Sequence, residues 1–186
     1  MSRPWRNRAI GLVLAAAIYA LDRYVKWLVA GRLGLRYQGD HLDLLPFFDL
    51  RWTQNFGVSL GYFAATSPEM RWGLVAVTGL IAIVVFVWML RERVLFEIAG
   101  LALILGGALG NIRDRYLYGY VIDYADFHIG EFRPFLVFNV ADAAITIGVL
   151  IILARALFMR EKPPAPQGED HAPQAELPAD QSAENS

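Results

Sequence analysis

Three polar side chains interrupt apolar segments of the chain, where a charge or an amide is costly. Asp22 lies in the first apolar run, Asn111 ends a later one, and Asp142 lies inside the last. A carboxylate within a membrane helix costs about 2.5–3.5 kcal/mol on insertion scales, so an acid found there is a functional hypothesis by default. Paired carboxylates can serve as general acid and general base.

The two acids differ in their local partners. Asp22 has Lys26 four residues on, which predicts an ion pair on one helix face, so structural and functional roles are both open for Asp22. Asp142 has no basic residue within helical reach, and Asn139 shares its face instead. A functional site is therefore the better interpretation of Asp142.

The elements that must position these residues are membrane helices. The chain has 186 residues, of which 56% are hydrophobic, which is more apolar than an ordinary soluble domain. About 20 apolar residues cross a bilayer. Four segments meet that length and predict an integral membrane, mainly α protein with four transmembrane helices: 9–30, 72–90, 94–112 and 135–158.

The first segment is open to a second interpretation. Arg3, Arg6 and Arg8 ahead of a short apolar run also describe a secretory signal peptide. The apolar pattern continues past Asp22 through Trp27, which favours a retained helix.

Helical rise predicts that the polar residues share one depth. Measured from the basic residues at the opposite ends of their helices, Asp22 lies roughly 21 Å, Asn111 roughly 27 Å and Asp142 roughly 20 Å into the membrane. In a hydrocarbon core of about 30 Å, all three fall towards the outer side. Gly106 and Gly110 form a small-xxx-small pattern that predicts close helix packing.

The segments between the spans predict the topology. Basic residues in the short flanks and in the turn after 72–90 place both termini in the cytoplasm. The outer-face loops, 31–71 and 113–134, also contain arginines, so the numbers of basic residues on the two sides are nearly equal. Residues 42–63 and 120–129 are rich in aromatic and branched residues and predict short strands at the membrane surface.

The sequence predicts one membrane domain and a tail. Residues 1–160 are predicted to form one membrane domain, followed by a disordered cytoplasmic tail over 161–186 that is rich in Pro, Ala, Gln and Glu. A docking role for this tail is the alternative. Asp114 could pair locally with Arg113 or Arg115.

Composition also excludes several classes of function. The net charge of −1 argues against a nucleic-acid partner. The absence of cysteine excludes thiolate nucleophiles, disulfides and iron–sulfur clusters. His41 and His128 are isolated and are expected at the surface, so we predict neither a metal nor a cofactor.

Four motifs, in order, resemble those of lipoprotein signal peptidase, also called signal peptidase II. They are Asp22-x-x-x-Lys26, Asn55-Phe-Gly57-Val-Ser, the run Gly-Asn-Ile-Arg-Asp-Arg-Tyr-Leu-Tyr-Gly-Tyr-Val-Ile-Asp over 110–123, and Phe-Asn-Val-Ala-Asp over 138–142. The resemblance extends over about 10–158. One departure is Leu60, where the family commonly has an aromatic residue.

The resemblance implies an intramembrane aspartyl endopeptidase of the bacterial inner membrane. Its dyad would be Asp123 and Asp142, and Asp123 is assigned by the resemblance alone. The dyad would lie near the periplasmic face under a small β-rich cradle formed by the first and third loops. The positions that match substrate-contacting or supporting residues are Asn55, Gly57, Asn111, Arg115, Asn139 and Asp22.

The resemblance also implies the substrate and the inhibitor. The substrates would be diacylglyceryl-modified prolipoproteins, cleaved by activated water just before the lipidated cysteine. We expect contacts with membrane lipids, sensitivity to a globomycin-type inhibitor, and a monomer.

Two other classes of function remain as alternatives. A small proton-coupled transporter could use Asp22 and Asp142 as a relay, but transporters usually carry internal repeats and midplane sites. A structural assembly factor would leave the face formed by Asn139 and Asp142 unexplained.

Overall fold

The computed structural model describes residues 3–57 and 68–158, so the predicted tail and Leu60 lie outside the described residues. The chain begins with helix α1 (Arg3–Trp27), which continues into a π-helical turn (Leu28–Arg32). The other elements, in chain order, are β1 (His41–Leu45), β2 (Phe48–Asn55), α2 (Pro68–Arg91), α3 (Leu95–Tyr118), β3 (Val121–Phe127) and α4 (Val140–Phe158).

Three of the described helices, α2, α3 and α4, are long and apolar enough to cross a membrane. The first predicted span is also helical, but α1 falls outside this group. Arg6 and Arg8 lie near one end of α1, and Asp22, Arg23 and Lys26 lie near the other. These charges lower its hydropathy, so four transmembrane helices do not follow from length and composition alone.

Helix α3 lies at the centre of the bundle and packs against α1, α2 and α4. Glycines let the backbones approach closely. A Cβ atom built on Gly106 would lie 2.5 Å from the Ala15 carbonyl oxygen of α1. A Cβ on the next residue, Gly107, would lie 2.4 Å from the Ala141 carbonyl oxygen of α4. The predicted small-residue packing of α3 is therefore present on two sides.

The apolar core has two parts. Met89, Ile98 and Leu101 are fully buried among the helices. Trp52 and Tyr124 belong to a second cluster, between the sheet and the end of α1. The polar site described below lies where the helices meet the sheet.

The strands form one antiparallel sheet in the order β1-β2-β3. This confirms the strands predicted within 120–129 and within the described part of 42–63. Thr53 of β2 faces Asp123 of β3. Beyond β3, Phe138 exchanges backbone hydrogen bonds with Ala125, at 2.7 and 3.0 Å. This short pairing holds the start of α4 against β3.

Two helices have bounds that differ from those of the predicted spans. Helix α3 continues to Tyr118 rather than ending at 112, because its polar residues find buried partners, and it ends at Gly119 with a φ of +88°. The outer loop predicted over 113–134 is thus helical in its first turn and a half. Helix α4 starts at Val140 rather than 135, because the preceding residues pair with β3.

Candidate active site

Asp123 lies in the middle of β3 and is only 1% exposed. Its carboxylate accepts two side-chain hydrogen bonds, one on each oxygen. Asn55 Nδ2 of β2 donates to Oδ2 at 2.9 Å, and Asn139 Nδ2 donates to Oδ1 at 2.6 Å. The antiparallel register brings Asn55 to this position, because Asn55 is diagonal to Asp123 across the strand pair.

The surroundings of Asp123 favour its protonated form near neutral pH. Burial, the larger effect, and the nearby charge of Asp142 raise the pKa of Asp123 to about 7. The hydrogen bonds from Asn55 and Asn139 act in the opposite direction, because they stabilise the carboxylate. Burial wins, so Asp123 can hold a proton at the pH where an ordinary aspartate is ionised.

Asp142 lies in the first turn of α4 and is half-buried. It forms a reciprocal cap with Asn139, the residue just before the helix. The Asp142 backbone N–H donates to Asn139 Oδ1 at 2.9 Å, and the Asn139 backbone N–H donates to Asp142 Oδ2 at 3.3 Å. Asn111 Nδ2 of α3 donates to the other carboxylate oxygen at 2.8 Å. The helix start therefore fixes the position of Asp142.

Asn139 joins the two acids. Its side chain is 1% exposed and contacts Asp123 through Nδ2 and the Asp142 backbone through Oδ1. Nδ2 also lies 3.2 Å from the Ile122 carbonyl oxygen. The sequence interpretation placed Asn139 on the face of Asp142 but missed its capping role. The pattern Asn-x-x-Asp ahead of an apolar run was the available signal.

Asn55 also shapes the turn that follows β2. Its Oδ1 accepts a hydrogen bond from the Gly57 backbone N–H at 2.8 Å. Gly57 has a φ of +103°, a conformation that favours glycine. A Cβ atom at Gly57 would lie 3.6 Å from Arg115 Nε, so the turn and Arg115 are neighbours.

Arg115 is half-buried on α3, one turn beyond Asn111. Its side chain forms no salt bridge with either acid among the described residues. Its Nε is buried and has no hydrogen-bond acceptor within 3–57 and 68–158. The structure thus brings Asn55, Gly57 and Arg115 to the edge of the acid pair and leaves one guanidinium donor free there.

Asp22 belongs to a buried group of charged side chains beside the acid pair. We call this group the ion cluster, and its members are Asp22, Arg23, Lys26 and Asp114. The predicted pair with Lys26 is confirmed, with 3.0 Å between Nζ and Oδ2. Arg23 contacts the same oxygen at 2.7 Å. The second oxygen, Oδ1, accepts a hydrogen bond from the Ala141 backbone N–H at 3.2 Å, which links the cluster to the start of α4.

The prediction for Asp114 was wrong. It pairs with neither Arg113 nor Arg115 among the described residues, but with Arg23 at 2.5 Å and Lys26 at 2.7 Å on α1. Asp114 is fully buried because it lies one turn of α3 from Asn111, on the side that faces α1. Single-sequence reasoning missed it because the prediction ended the helix before this residue.

The two loop histidines differ from each other. His41 is exposed, as predicted. His128 is not isolated, since its Nε2 lies 2.9 Å from Asp49 Oδ2 of β2 and its side chain is 15% exposed. Within the described parts of the chain, no three histidine or acidic side chains converge as metal ligands.

An apolar groove of about 380 Å³ opens beside Asp142. Aromatic residues after β3 form one wall, and the outer face of α4 forms the other, with Thr146 and Ile147. Asp142 lies on the wall of this groove, whereas Asp123 lies behind it. The arrangement offers two carboxylates of different exposure at the end of an apolar channel, which suits acid–base hydrolysis of an apolar substrate.

The chain matches the family model described as Signal peptidase (SPase) II over residues 14–158. It is 54% identical to a lipoprotein signal peptidase of Sphingopyxis alaskensis over 152 residues, 82% of this chain and 87% of the relative. It is 51% identical to one of Rhizorhabdus wittichii, covering 83% and 90%. A bacterial membrane enzyme structure solved in meso at 1.9 Å superposes with a TM-score of 0.69 and 28% identity, over 81% of this chain and 94% of the other.

Proposed function

Because this chain belongs to the signal peptidase II family, and is therefore a protease of the membrane, we propose that it is an aspartyl endopeptidase whose catalytic pair is Asp123 and Asp142. One observation carries the assignment. One buried residue, Asn139, donates to both carboxylates, from its side chain to Asp123 and from its backbone N–H to Asp142, and the pKa of Asp123 is raised to about 7. Two acids held together with one proton between them are what water-activated peptide hydrolysis needs.

The surroundings support a division of labour between the two acids. Asp142, half-exposed and at the positive end of α4, is the base that takes a proton from water. The water oxygen bonds to the scissile carbonyl carbon. Asp123, held protonated by burial, donates its proton to the carbonyl oxygen. Asp142 then passes the proton taken from water to the leaving nitrogen as the C–N bond breaks, and a hydroxyl of the diol returns a proton to Asp123. The pair regains its single proton when the products leave.

The substrate is proposed to be a prolipoprotein bearing a diacylglyceryl-modified cysteine, cut just before that cysteine. The relatives named above are lipoprotein signal peptidases, and the apolar groove beside Asp142 suits an apolar signal-peptide helix or an acyl chain. The Arg115 guanidinium forms no salt bridge within 3–57 and 68–158, so its charge is available to a backbone carbonyl of an extended substrate. Asn55 and Asn111 hold the two acids, and the Gly57 turn lies beside Arg115.

The membrane arrangement is part of the proposal. We infer that α1 is a fourth span, because the ion cluster balances the charges of Arg23 and Lys26, near the sheet end of α1, with those of Asp22 and Asp114. The acid pair and the sheet would then lie towards the periplasmic face of the inner membrane, with both termini cytoplasmic. We further propose that the enzyme acts as a monomer, uses no metal or cofactor, and is blocked by a globomycin-type inhibitor.

A cleavage assay tests the catalytic pair. The purified chain in detergent is given a diacylglyceryl-modified prolipoprotein, and the product mass is followed. Asp123→Asn and Asp142→Asn should each reduce the cleavage rate by at least about a thousandfold, since each removes one half of the acid–base pair.

Asp126→Asn is the matched control, because Asp126 is equally buried on β3 but pairs with Arg51 and Arg133 away from the acid pair. This variant should keep its activity where thermal unfolding shows that it is folded. Full activity of either dyad variant would refute the assignment. Equal cleavage of an unlipidated substrate would refute the proposed lipoprotein specificity.

A further inference from the structure

A second cavity, which shares no lining residue with the apolar groove, is lined largely by polar side chains. This cavity, which we call the basic pocket, has a volume of about 530 Å³ between the later turns of α1 and the end of α3. Four cationic side chains and two tyrosines are prominent in its lining: Arg23, Lys26, Arg36, Arg113, Tyr19 and Tyr118. Neither proposed catalytic acid lines it.

The charges in the basic pocket do not balance. Asp22 and Asp114 offset Arg23 and Lys26 within the ion cluster. Arg113 forms no ion pair with any residue in 3–57 or 68–158. Two positive charges, those of Arg113 and Arg36, are therefore in excess.

Arg36 is held in place by a neutral partner. Its guanidinium Nε donates to the Ala30 carbonyl oxygen at 2.7 Å, which fixes its position without offsetting its charge. The nearby Asp40 accepts from the backbone N–H groups of Arg36 and Tyr37 rather than from the guanidinium. The charge of Arg36 therefore remains available to a ligand.

The pocket also contains a donor that lacks an acceptor. Both terminal nitrogens of Arg23 bind carboxylates, but its Nε is buried and has no hydrogen-bond partner among the described residues. Because Nε itself is enclosed, a ligand in the pocket would meet the exposed part of the Arg23 guanidinium. Arginine forks with excess positive charge are the preferred protein partners of phosphate oxygens.

The setting favours a lipid as the source of that phosphate. Tyr24 and Trp27 are more than half exposed on α1 beside the pocket, as aromatic residues are at a membrane interface. The exposed apolar side chain of Leu21 lies one turn earlier, where acyl chains would run. We propose that the basic pocket binds the phosphodiester headgroup of an anionic phospholipid, such as phosphatidylglycerol.

Lipid retention measured by native mass spectrometry tests this proposal. The full chain, purified in detergent, is titrated with phosphatidylglycerol or phosphatidylcholine, and the bound lipid is weighed. Arg36→Gln/Arg113→Gln should weaken phosphatidylglycerol binding about twenty-five-fold, because each arginine contributes roughly fivefold. The control Arg32→Gln/Arg91→Gln removes the same charge from exposed residues that do not line the pocket.

Each outcome decides for or against the lipid. Preferred retention of phosphatidylglycerol that the pocket variant loses and the control keeps supports the proposal. Equal retention of both lipids, or equal losses in both variants, overturns it. A third arm adds inorganic phosphate. If phosphate binds the wild-type chain as tightly as the lipid does, the site recognises free phosphate and the lipid assignment is wrong.

Discussion

At the scale of single residues, Asp123 and Asp142 show how one side-chain type acquires two chemical characters. Asp123 is enclosed by the sheet and the start of α4, whereas Asp142 reaches the wall of the apolar groove. Burial penalises the charge on Asp123 more than its two amide donors stabilise it. The two acids therefore differ in solvent exposure, although each carboxylate accepts two hydrogen bonds.

Asn55→Leu should shift the pH dependence of cleavage. The Asn55 hydrogen bond stabilises ionised Asp123, so its loss raises the pKa of Asp123 further above about 7. Activity needs one proton on the pair and falls as the pH rises through that pKa. The alkaline limb of the kcat/KM profile should therefore move to higher pH by roughly 1 unit.

Gln54→Leu is the control for this measurement. It makes the same kind of amide-to-apolar change one residue earlier on β2, where the side chain points to the other face of the sheet. Its alkaline limb should stay in place. A limb that moves to lower pH in Asn55→Leu would contradict the proposed role of Asp123 as the protonated member.

At the scale of elements, the glycines of α3 set how closely the bundle packs. Gly106→Ala should lower thermal stability, because the new Cβ would lie 2.5 Å from a backbone oxygen of α1 that cannot move without moving the helix. Overpacking of this kind costs about 1–3 kcal/mol. The melting temperature in detergent should fall by roughly 3–10 °C.

Gly79→Ala on α2 is the matched control, since a Cβ there meets nothing within 4 Å. Alanine is the better helix former, so this variant should melt at the same temperature or slightly higher. Equal destabilisation by both substitutions would mean that the loss of stability does not come from the clash with α1.

Element positions could largely be predicted from the sequence, while element ends could not. Hydropathy located the helices because apolar length is a local property of the chain. The ends of α3 and α4 depended on distant partners, namely the cations of α1 for Asp114 and the edge of β3 for Phe138. A single sequence contains no direct record of either contact.

The candidate site was predictable to a similar extent. The cost of Asp142 in an apolar run was visible from local context, and Asp123 came from the resemblance alone. The contact of Asn139 with Asp123 depends on the register of β2 with β3 and on the pairing of Phe138 with Ala125. No local sequence pattern specifies either of these. The pairing of Asp123 with Asn55 depends on the same register.

At the scale of the whole molecule, the ion cluster joins α1 to α3. Asp114→Asn should strongly destabilise the protein, because Arg23 and Lys26 would share one buried carboxylate. Removing one partner of a buried ion pair costs about 3–5 kcal/mol. The melting temperature should fall on the order of 10 °C.

Two further variants test whether the loss of stability comes from the unpaired charge. Lys26→Met/Asp114→Leu removes one charge of each sign and should recover part of the lost stability, because a balanced apolar replacement leaves no unpaired charge. Glu131→Gln changes an exposed acid and should leave the melting temperature unchanged. An Asp114→Asn protein as stable as the wild type would exclude a stabilising role for the cluster.

The ion cluster also bears on how the chain is made. Arg23 and Asp114 are 91 positions apart, so α1 leaves the ribosome roughly 5–20 s before its partner acid does. During that time Asp22 balances only one of the two cations that α1 contributes to the ion cluster, Arg23 and Lys26. On the proposed four-span arrangement, α1 is a poor membrane anchor until α3 arrives, and its final place in the bilayer is settled after translation of α3. A nascent chain released before Asp114 is synthesised would therefore be a preferred substrate for membrane quality-control proteases.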